Sequence, residues 1–268
     1  MTIAVCLKWI NASGPAEQDV PDERFMGVSY SDQAALEYAL RLAEKSGDEV
    51  LAVTAGPAGA EAVLRDAVSR GAHRAVRINI DMSSNSAQIA SVIAEVVRGA
   101  ISIWCGDYSV DRGSGSVPAF IAAELSIGQA LGLVEIEIPE IVGRPIKAVR
   151  RLDGGRREVV EITGPAVVSV EGSTARLRRA SLKGTMAASK ANIDVVTGQQ
   201  ATVDAATLRP YRPRARTVAA PVGQSALDRV KQITDSSSAK GHGETVRLEP
   251  REAAELILHK LREWGYRS

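Results

Sequence analysis

The sequence predicts an α/β protein: a mostly parallel sheet covered by helices, with β-hairpin additions and an extended C-terminal arm ending in a helix. Three observations predict it. Apolar runs rich in Val and Ile alternate with stretches of helical period through the first part of the chain. After about residue 130 the runs become short strands with no helix between them long enough for a crossover. A stretch rich in Pro, Ser, Thr and Arg then leads to one last amphipathic segment.

The elements follow in order. "TIAVCLK" (2–8) reads as a buried strand, followed by a polar, Pro-containing loop. Ser31-Asp32 are read as the cap of the helix "QAALEYALRLAEKSG", in which Leu36, Ala39, Leu40 and Ala43 share a face and Gly47 ends the run. "EVLAVTA" (49–55) is the second strand, Gly56-Pro57 a turn, and "AGAEAVLRDAVSRG" a helix closed by Gly71. "RAVRINI" (74–80), a helix around "AQIASVIAEVVRG" and the strand "ISIWCG" continue the strand–helix order. Strands that are apolar throughout and separated by helices imply parallel pairing with both faces buried.

"LVEIEI", "IKAVRRL", "REVVEIT" and "AVVSVE" are the short strands, read as additions to this core. "LDGGRRE" (152–158) reads as a hairpin turn, because paired glycines tolerate positive φ. Residues 198–249 show weak periodicity and read as an extended arm. Pro250 starts the final helix, with Ala254, Ile257, Leu258 and Leu261 on one stripe. The organisation expected is a core over residues 1–197 and an arm with its helix over 198–268. That stripe needs a docking surface, on this chain or on another.

Composition narrows the function classes. The 33 basic and 32 acidic residues nearly balance, which gives no electrostatic reason to expect nucleic acid. Aromatic residues are 4% of the chain, too few for a base-stacking surface. The apolar stretch of "MTIAVCLKWI" is too short for a signal sequence, and no long apolar run follows, so a soluble, cytoplasmic protein without membrane insertion is expected. Cys6 and Cys105 fall in apolar strands and read as buried residues in a reducing compartment. His73, His242 and His259 lack metal-ligand spacing and are expected at the surface.

"GDYSVDRGSGSVPAFIAAEL" (106–125) runs from a strand end through Gly and Ser into a helix. Such a turn can bring backbone N–H groups to a phosphate, yet it carries no P-loop or dinucleotide fingerprint. A nucleotide site, the remnant of one and a flexible connection are all compatible with these residues.

The hairpin region carries a resemblance. "AVRRLDGGRREVVEITGPAVVSV" places Arg150 three residues before Asp153-Gly154-Gly155, then Glu158, Val160 and "PAVVS" at fixed offsets. This resembles the signature of the electron-transfer flavoprotein beta subunit, and the similarity extends over nearly the whole chain. It implies an adenine nucleotide alpha hydrolase-like core and an electron carrier subunit rather than an enzyme in its own right. It also implies a heterodimer with an alpha subunit that holds most of the FAD. Electrons would arrive from a dehydrogenase and leave through a quinone oxidoreductase towards the quinone pool. The beta subunit of this family usually buries an AMP, and electron-bifurcating relatives place a second FAD there.

Carried onto this chain, the resemblance assigns nucleotide contacts to Cys6, to Ser29, Tyr30, Ser31 and Asp32, and to Ala55 and Gly106. It continues them along the loop Asp111, Arg112, Gly113, Ser114, Gly115, Ser116 and Val117. It implies no catalytic side chain and no metal. Two segments depart from the family pattern: Ser29-Tyr30 replaces Asn-Pro, and the residues after Asp111 lack the family's acidic and amide run. "TAGP" (54–57) conforms. AMP, a second FAD and an empty or repurposed site therefore all stand as readings.

"STARLRRASLKGTMAASKANIDV" (173–195) matches the family's recognition loop, which makes Leu182 the anchor for the dehydrogenase, with Lys183 and Met186 beside it. Leu182 as an ordinary core residue is the alternative. Arg176, Arg178, Arg179, Lys183 and Lys190 either steer an acidic partner or form a solvated face. Two further functions stand beside the electron carrier: a lone adenine-nucleotide sensor, and a scaffold for the alpha subunit that binds no nucleotide.

Overall fold

Strand β1 (Thr2–Cys6) is an inner strand of the sheet, with four of its residues buried. The computed structural model describes residues 1–11, 26–81, 84–139, 144–198, 225–234 and 246–263. The chain divides into two compact units, Met1–Ala205 and Ala206–Ser268.

In the first unit, β1 is followed by the small pair β2 (Ile10–Asn11) and β3 (Met26–Gly27) and by helix α1 (Tyr30–Ser46). Then come β4 (Glu49–Ala55), α2 (Glu61–Arg70), β5 (Arg74–Asn79), α3 (Ser86–Val97), β6 (Ser102–Gly106) and α4 (Val117–Leu125). The second half adds β7 (Gly128–Glu137), β8 (Ile146–Arg151), β9 (Arg157–Ile162), β10 (Ala166–Val170), α5 (Leu182–Lys190) and β11 (Asp194–Thr197). The nine-stranded sheet runs β11-β5-β4-β1-β6-β10-β7-β8-β9. It is parallel from β11 to β7 and antiparallel across β8 and β9.

Alternation along the strands builds two cores. Val5, Val50, Ala52, Trp104 and Val168 bury against α1 and α2. Ala4, Leu51, Val53, Ile103 and Val167 bury against α3 and α4. Trp104 is fully buried and stacks on Tyr38 with ring centroids 5.6 Å apart, a contact type that contributes about 0.5–1.5 kcal/mol beyond area burial. The hairpin turns at Gly154 and Gly155, with φ of 71° and 74°, as the paired glycines require.

The structure corrects three expectations. Helix α1 is capped by Ser29, not by Ser31-Asp32: Ser29 is extended, and its Oγ accepts the Asp32 N–H at 3.0 Å. The cap sits one residue before the first helical position, which moves Ser31 and Asp32 into the first turn. β10 is not an addition to the core. It lies parallel between β6 and β7 with all its residues buried, a place suited to a strand apolar on both faces. The segment after Leu182 is a helix rather than a loop, and it leads into β11, the far edge of the sheet.

In the second unit, the stretch read as an arm contains helix α6 (Ala226–Thr234), where Ser225 Oγ accepts the Asp228 N–H at 3.1 Å. Most of the expected arm lies outside the described residues. Helix α7 (Pro250–Glu263) forms as expected from Pro250, and Ile257 and Leu258 are exposed on it. Among the described residues no helix is long and apolar enough to cross a membrane.

Candidate functional site

The chain leaves β1 in one direction through α1 to β4 and returns through α3 to β6 on the other side. Ligands of open α/β sheets bind at this kind of reversal, outside the carboxyl ends of the strands. A cleft opens there, lined by the ends of β1, β4, β5 and β6, the starts of α3 and α4, and the Gly/Ser stretch after β6.

Its floor is organised by Asp32, buried in the first turn of α1. Asp32 Oδ1 accepts the Gly106 N–H and Oδ2 accepts the Lys8 N–H, both at 3.1 Å. One carboxylate thus ties together the ends of β6, β1 and α1. Burial pushes its pKa from an ordinary 3.8 to about 6, although the backbone bonds from Lys8 and Gly106 pull the other way. Gly106 has no room for a side chain: a Cβ there would lie 2.5 Å from Asp32 Oδ1 and 2.7 Å from Ser31 Oγ.

The Gly/Ser stretch is a folded turn. Ser109 N–H donates to Ser114 O and Gly113 N–H to Ser109 O, each at 2.8 Å, with Gly113 at φ 63°. A Cβ on Gly115 would lie 1.9 Å from Asp107 O. The Lys8 ammonium reaches Ser109 Oγ at 2.7 Å and Asp111 Oδ1 at 2.6 Å, and Arg112 Nη1 donates to Ser84 O at 2.8 Å. These ties replace the flexible-connection reading. Although burial pushes the Asp111 carboxyl up, bonds from Lys8 and Ser109 hold it below the usual range. The neighbouring Asp107 carboxyl is raised by burial and by the nearby Glu171 charge.

Of the expected nucleotide-contacting residues, Cys6, Ser29, Asp32, Ala55, Gly106, Arg112, Ser114, Gly115 and Val117 line the cleft. Tyr30, Ser31, Asp111, Gly113 and Ser116 do not. Tyr30 is 80% exposed. Ser31 is buried, 3.1 Å from Ser29 Oγ. Asp111 and Gly113 belong to the turn closed between Ser109 and Ser114, and Ser116 precedes α4 in a helical conformation without capping it. Sequence reasoning missed Lys8, Ile80, Ser86, Ile89, Ile93 and Tyr108, all in the lining. Lys8 carried one signal, a lone cation at the end of an apolar strand. Ile80, Ser86, Ile89 and Ile93 reach the cleft only through the crossover into α3, and Tyr108 through the turn after β6.

The lining fits an adenine nucleotide. Ile80, Ile89, Ile93 and Val117 offer apolar walls for a base, while Ser86 and Val117 begin helices α3 and α4, whose N-terminal dipoles favour an anion. Lys8 and Arg112 add cationic side chains to the lining, Lys8 paired with Asp111. Cys6 and Cys105 are free and buried, as expected. The Cys105 thiol, hydrogen-bonded to Cys6 and desolvated, is pushed well above its ordinary pKa. Among the described residues no His, Cys, Asp and Glu cluster suits a metal. His73 and His259 are exposed, and His242 lies outside the described residues.

A second surface is carried by α5. Leu182, its first residue, is 79% exposed and Met186 is 62% exposed, which removes the core reading of Leu182. Lys183 and Lys190 are exposed beside them, as is Arg179. Arg178 does not join that basic face, because Glu37 and Glu44 pair with it.

Comparison with known proteins adds the following. The family model described as "Electron transfer flavoprotein domain" matches residues 22–201. The chain is 33% identical over 165 residues to the electron transfer flavoprotein subunit beta of Syntrophomonas wolfei, covering 59% of this chain and 63% of that one. It is 34% identical over 176 residues to the electron transfer flavoprotein subunit beta of Mycobacterium bovis, covering 62% and 65%. It is 28% identical over 219 residues to Protein FixA of Azorhizobium caulinodans, covering 76% and 78%. The match thus spans less than two thirds of the length of the first two relatives.

Proposed function

The chain belongs to the electron transfer flavoprotein family, and from that membership we propose that it is the beta-subunit half of a two-subunit electron carrier. The observation that carries the reading is the extent of the family match: residues 22–201 take in most of the cleft and all of α5. FAD is held mainly by an alpha partner. The cleft takes an adenine nucleotide, with Ile80, Ile89 and Ile93 against the base and Lys8, Arg112 and the starts of α3 and α4 towards the phosphate. The flavin supplies the electron chemistry. This chain supplies binding, orientation and docking. The carrier works in the cytoplasm: electrons come from a dehydrogenase that seats on Leu182 and Met186 and pass through a quinone oxidoreductase towards the quinone pool. Residues 198–268 dock on the alpha partner.

A second reading, a scaffold for the alpha partner without nucleotide, is favoured by one observation. Lys8 is already engaged by Asp111 and Ser109. Co-expression with an alpha-type partner, followed by denaturation and analysis of released nucleotides, tests both. A yellow 1:1 complex releasing FAD and AMP supports the first reading, and FAD alone at one equivalent supports the second. Two equivalents of FAD place a flavin in the cleft. A stable yellow monomer from this chain alone overturns both.

A further inference from the structure

Glu37 lies in the middle of α1 with its side chain only 5% exposed. Its Oε2 accepts both the backbone N–H and the Nε–H of Arg178, each at 3.0 Å. Its Oε1 accepts Arg178 Nη2 at 3.2 Å and Arg41 Nε at 2.8 Å. The far side of the same guanidinium bonds Glu44, with Nη2 to Oε2 at 3.1 Å. The Arg178 carbonyl in turn accepts a bond from Arg70, which is paired with Asp66 on α2. Although burial pushes the Glu37 carboxyl up, the bonds from Arg178 and Arg41 hold it below the usual range.

This arrangement governs more than one side chain. A single buried carboxylate fixes both the main chain and the side chain of Arg178, four residues before Leu182. From there the chain enters α5 directly: Ser181 Oγ accepts the Gly184 N–H at 3.0 Å. A Cβ on Gly184 would lie 2.2 Å from Ser69 O, so the first turn of α5 rests on α2. Arg65 Nη1 holds the other end through Ala188 O at 3.1 Å and Ala191 O at 3.2 Å. Leu182 and Met186 project from the remaining face, one turn apart. Stability alone does not account for a buried ion pair, since well-packed apolar residues often serve as well. A planar guanidinium gripped on two edges does give a defined geometry.

We propose that Glu37 is a positioning residue: acting through Arg178, it sets where the Leu182–Met186 face of α5 stands. The use of that face in docking rests on the function proposed above, whereas the placement itself is testable without a partner.

The test labels Leu182→Cys with a nitroxide in the full-length chain, where Cys6 and Cys105 are buried, and reads the electron paramagnetic resonance line shape. The parent label is expected to sit on an ordered helix. With Glu37→Gln a mobile component appears, and tryptic cleavage after Arg179 and Lys183 accelerates about 10-fold as the segment opens. Arg178→Lys keeps the charge but not the fork and is expected to match Glu37→Gln, whereas Glu37→Asp restores part of the ordered signal. Should Glu37→Gln not fold, Glu44→Gln removes the exposed end of the clamp and is expected to give a smaller mobile component. Folded variants that keep the parent spectrum and cleavage rate overturn the proposal. A Leu182→Ala complex that still accepts electrons from its dehydrogenase overturns the docking reading and leaves the nitroxide spectra untouched, so the two failures are distinguishable.

Discussion

Asp32 and Gly106 stand 74 residues apart in the chain and share a single hydrogen bond of 3.1 Å at the floor of the cleft. The carboxylate that accepts this N–H also occupies the place where a side chain on residue 106 would go. Gly106→Ala forces one of them to move. Overpacking of this kind costs about 1–3 kcal/mol, which urea unfolding would measure. The same displacement should lower the nucleotide retained through purification. A variant as stable as the parent would mean that the floor yields without cost.

Asp32 also sets a pH dependence. Its folded pKa of about 6 exceeds its ordinary 3.8 because of burial. Between those values the unfolded chain has lost the proton that the folded chain keeps. Stability from this group is therefore full below about pH 4 and lost as pH rises through about 6, where the folded carboxyl also ionises. The gap corresponds to about 3 kcal/mol. Unfolding free energies between pH 4 and 7 should slope downward from this site, and Asp32→Asn should flatten that slope whatever it does to the absolute value.

Asp111→Asn should release Lys8. Each partner is about one third exposed, at 32% and 33%, so the change in stability is expected to stay within about 1 kcal/mol. An ammonium no longer neutralised by a carboxylate attracts phosphate more strongly. AMP should bind the complex about 5-fold more tightly at low salt, with the gain fading as salt rises. Calorimetric titration with AMP and with adenosine separates the effect, since adenosine should respond to neither change. Equal gains for both ligands would remove Lys8 from phosphate binding.

Leu182→Ala addresses the second surface. An exposed leucine contributes nothing to the core, so melting temperature, flavin content and reduction by dithionite should match the parent. Transfer from the dehydrogenase should weaken about 10- to 150-fold, the loss expected for an apolar anchor of about 1.5–3 kcal/mol. Partner-dependent reduction at parent level would exclude Leu182 from docking.

Much of the architecture was legible in the amino-acid order because its causes are local. β4 matches "EVLAVTA" over its whole length, since an apolar run between polar turns reports a strand buried on both faces. Gly154 and Gly155 announced the hairpin because positive φ is a property of the residue itself. The pattern around them was enough to suggest the family. What neighbours what was not legible. β10 reads like any short apolar strand, and only pairing with β6 and β7 moves it into the middle of the sheet. Leu182 could not be called exposed until α5 was seated on α2. Lys8 meets Asp111 across 103 residues and Glu37 meets Arg178 across 141, distances over which period and capping chemistry carry no information. Local sequence thus determined most of the core's elements and the glycine hairpin, while the tertiary structure alone decided the cleft and the clamp, because both are made by side chains that the fold brings together.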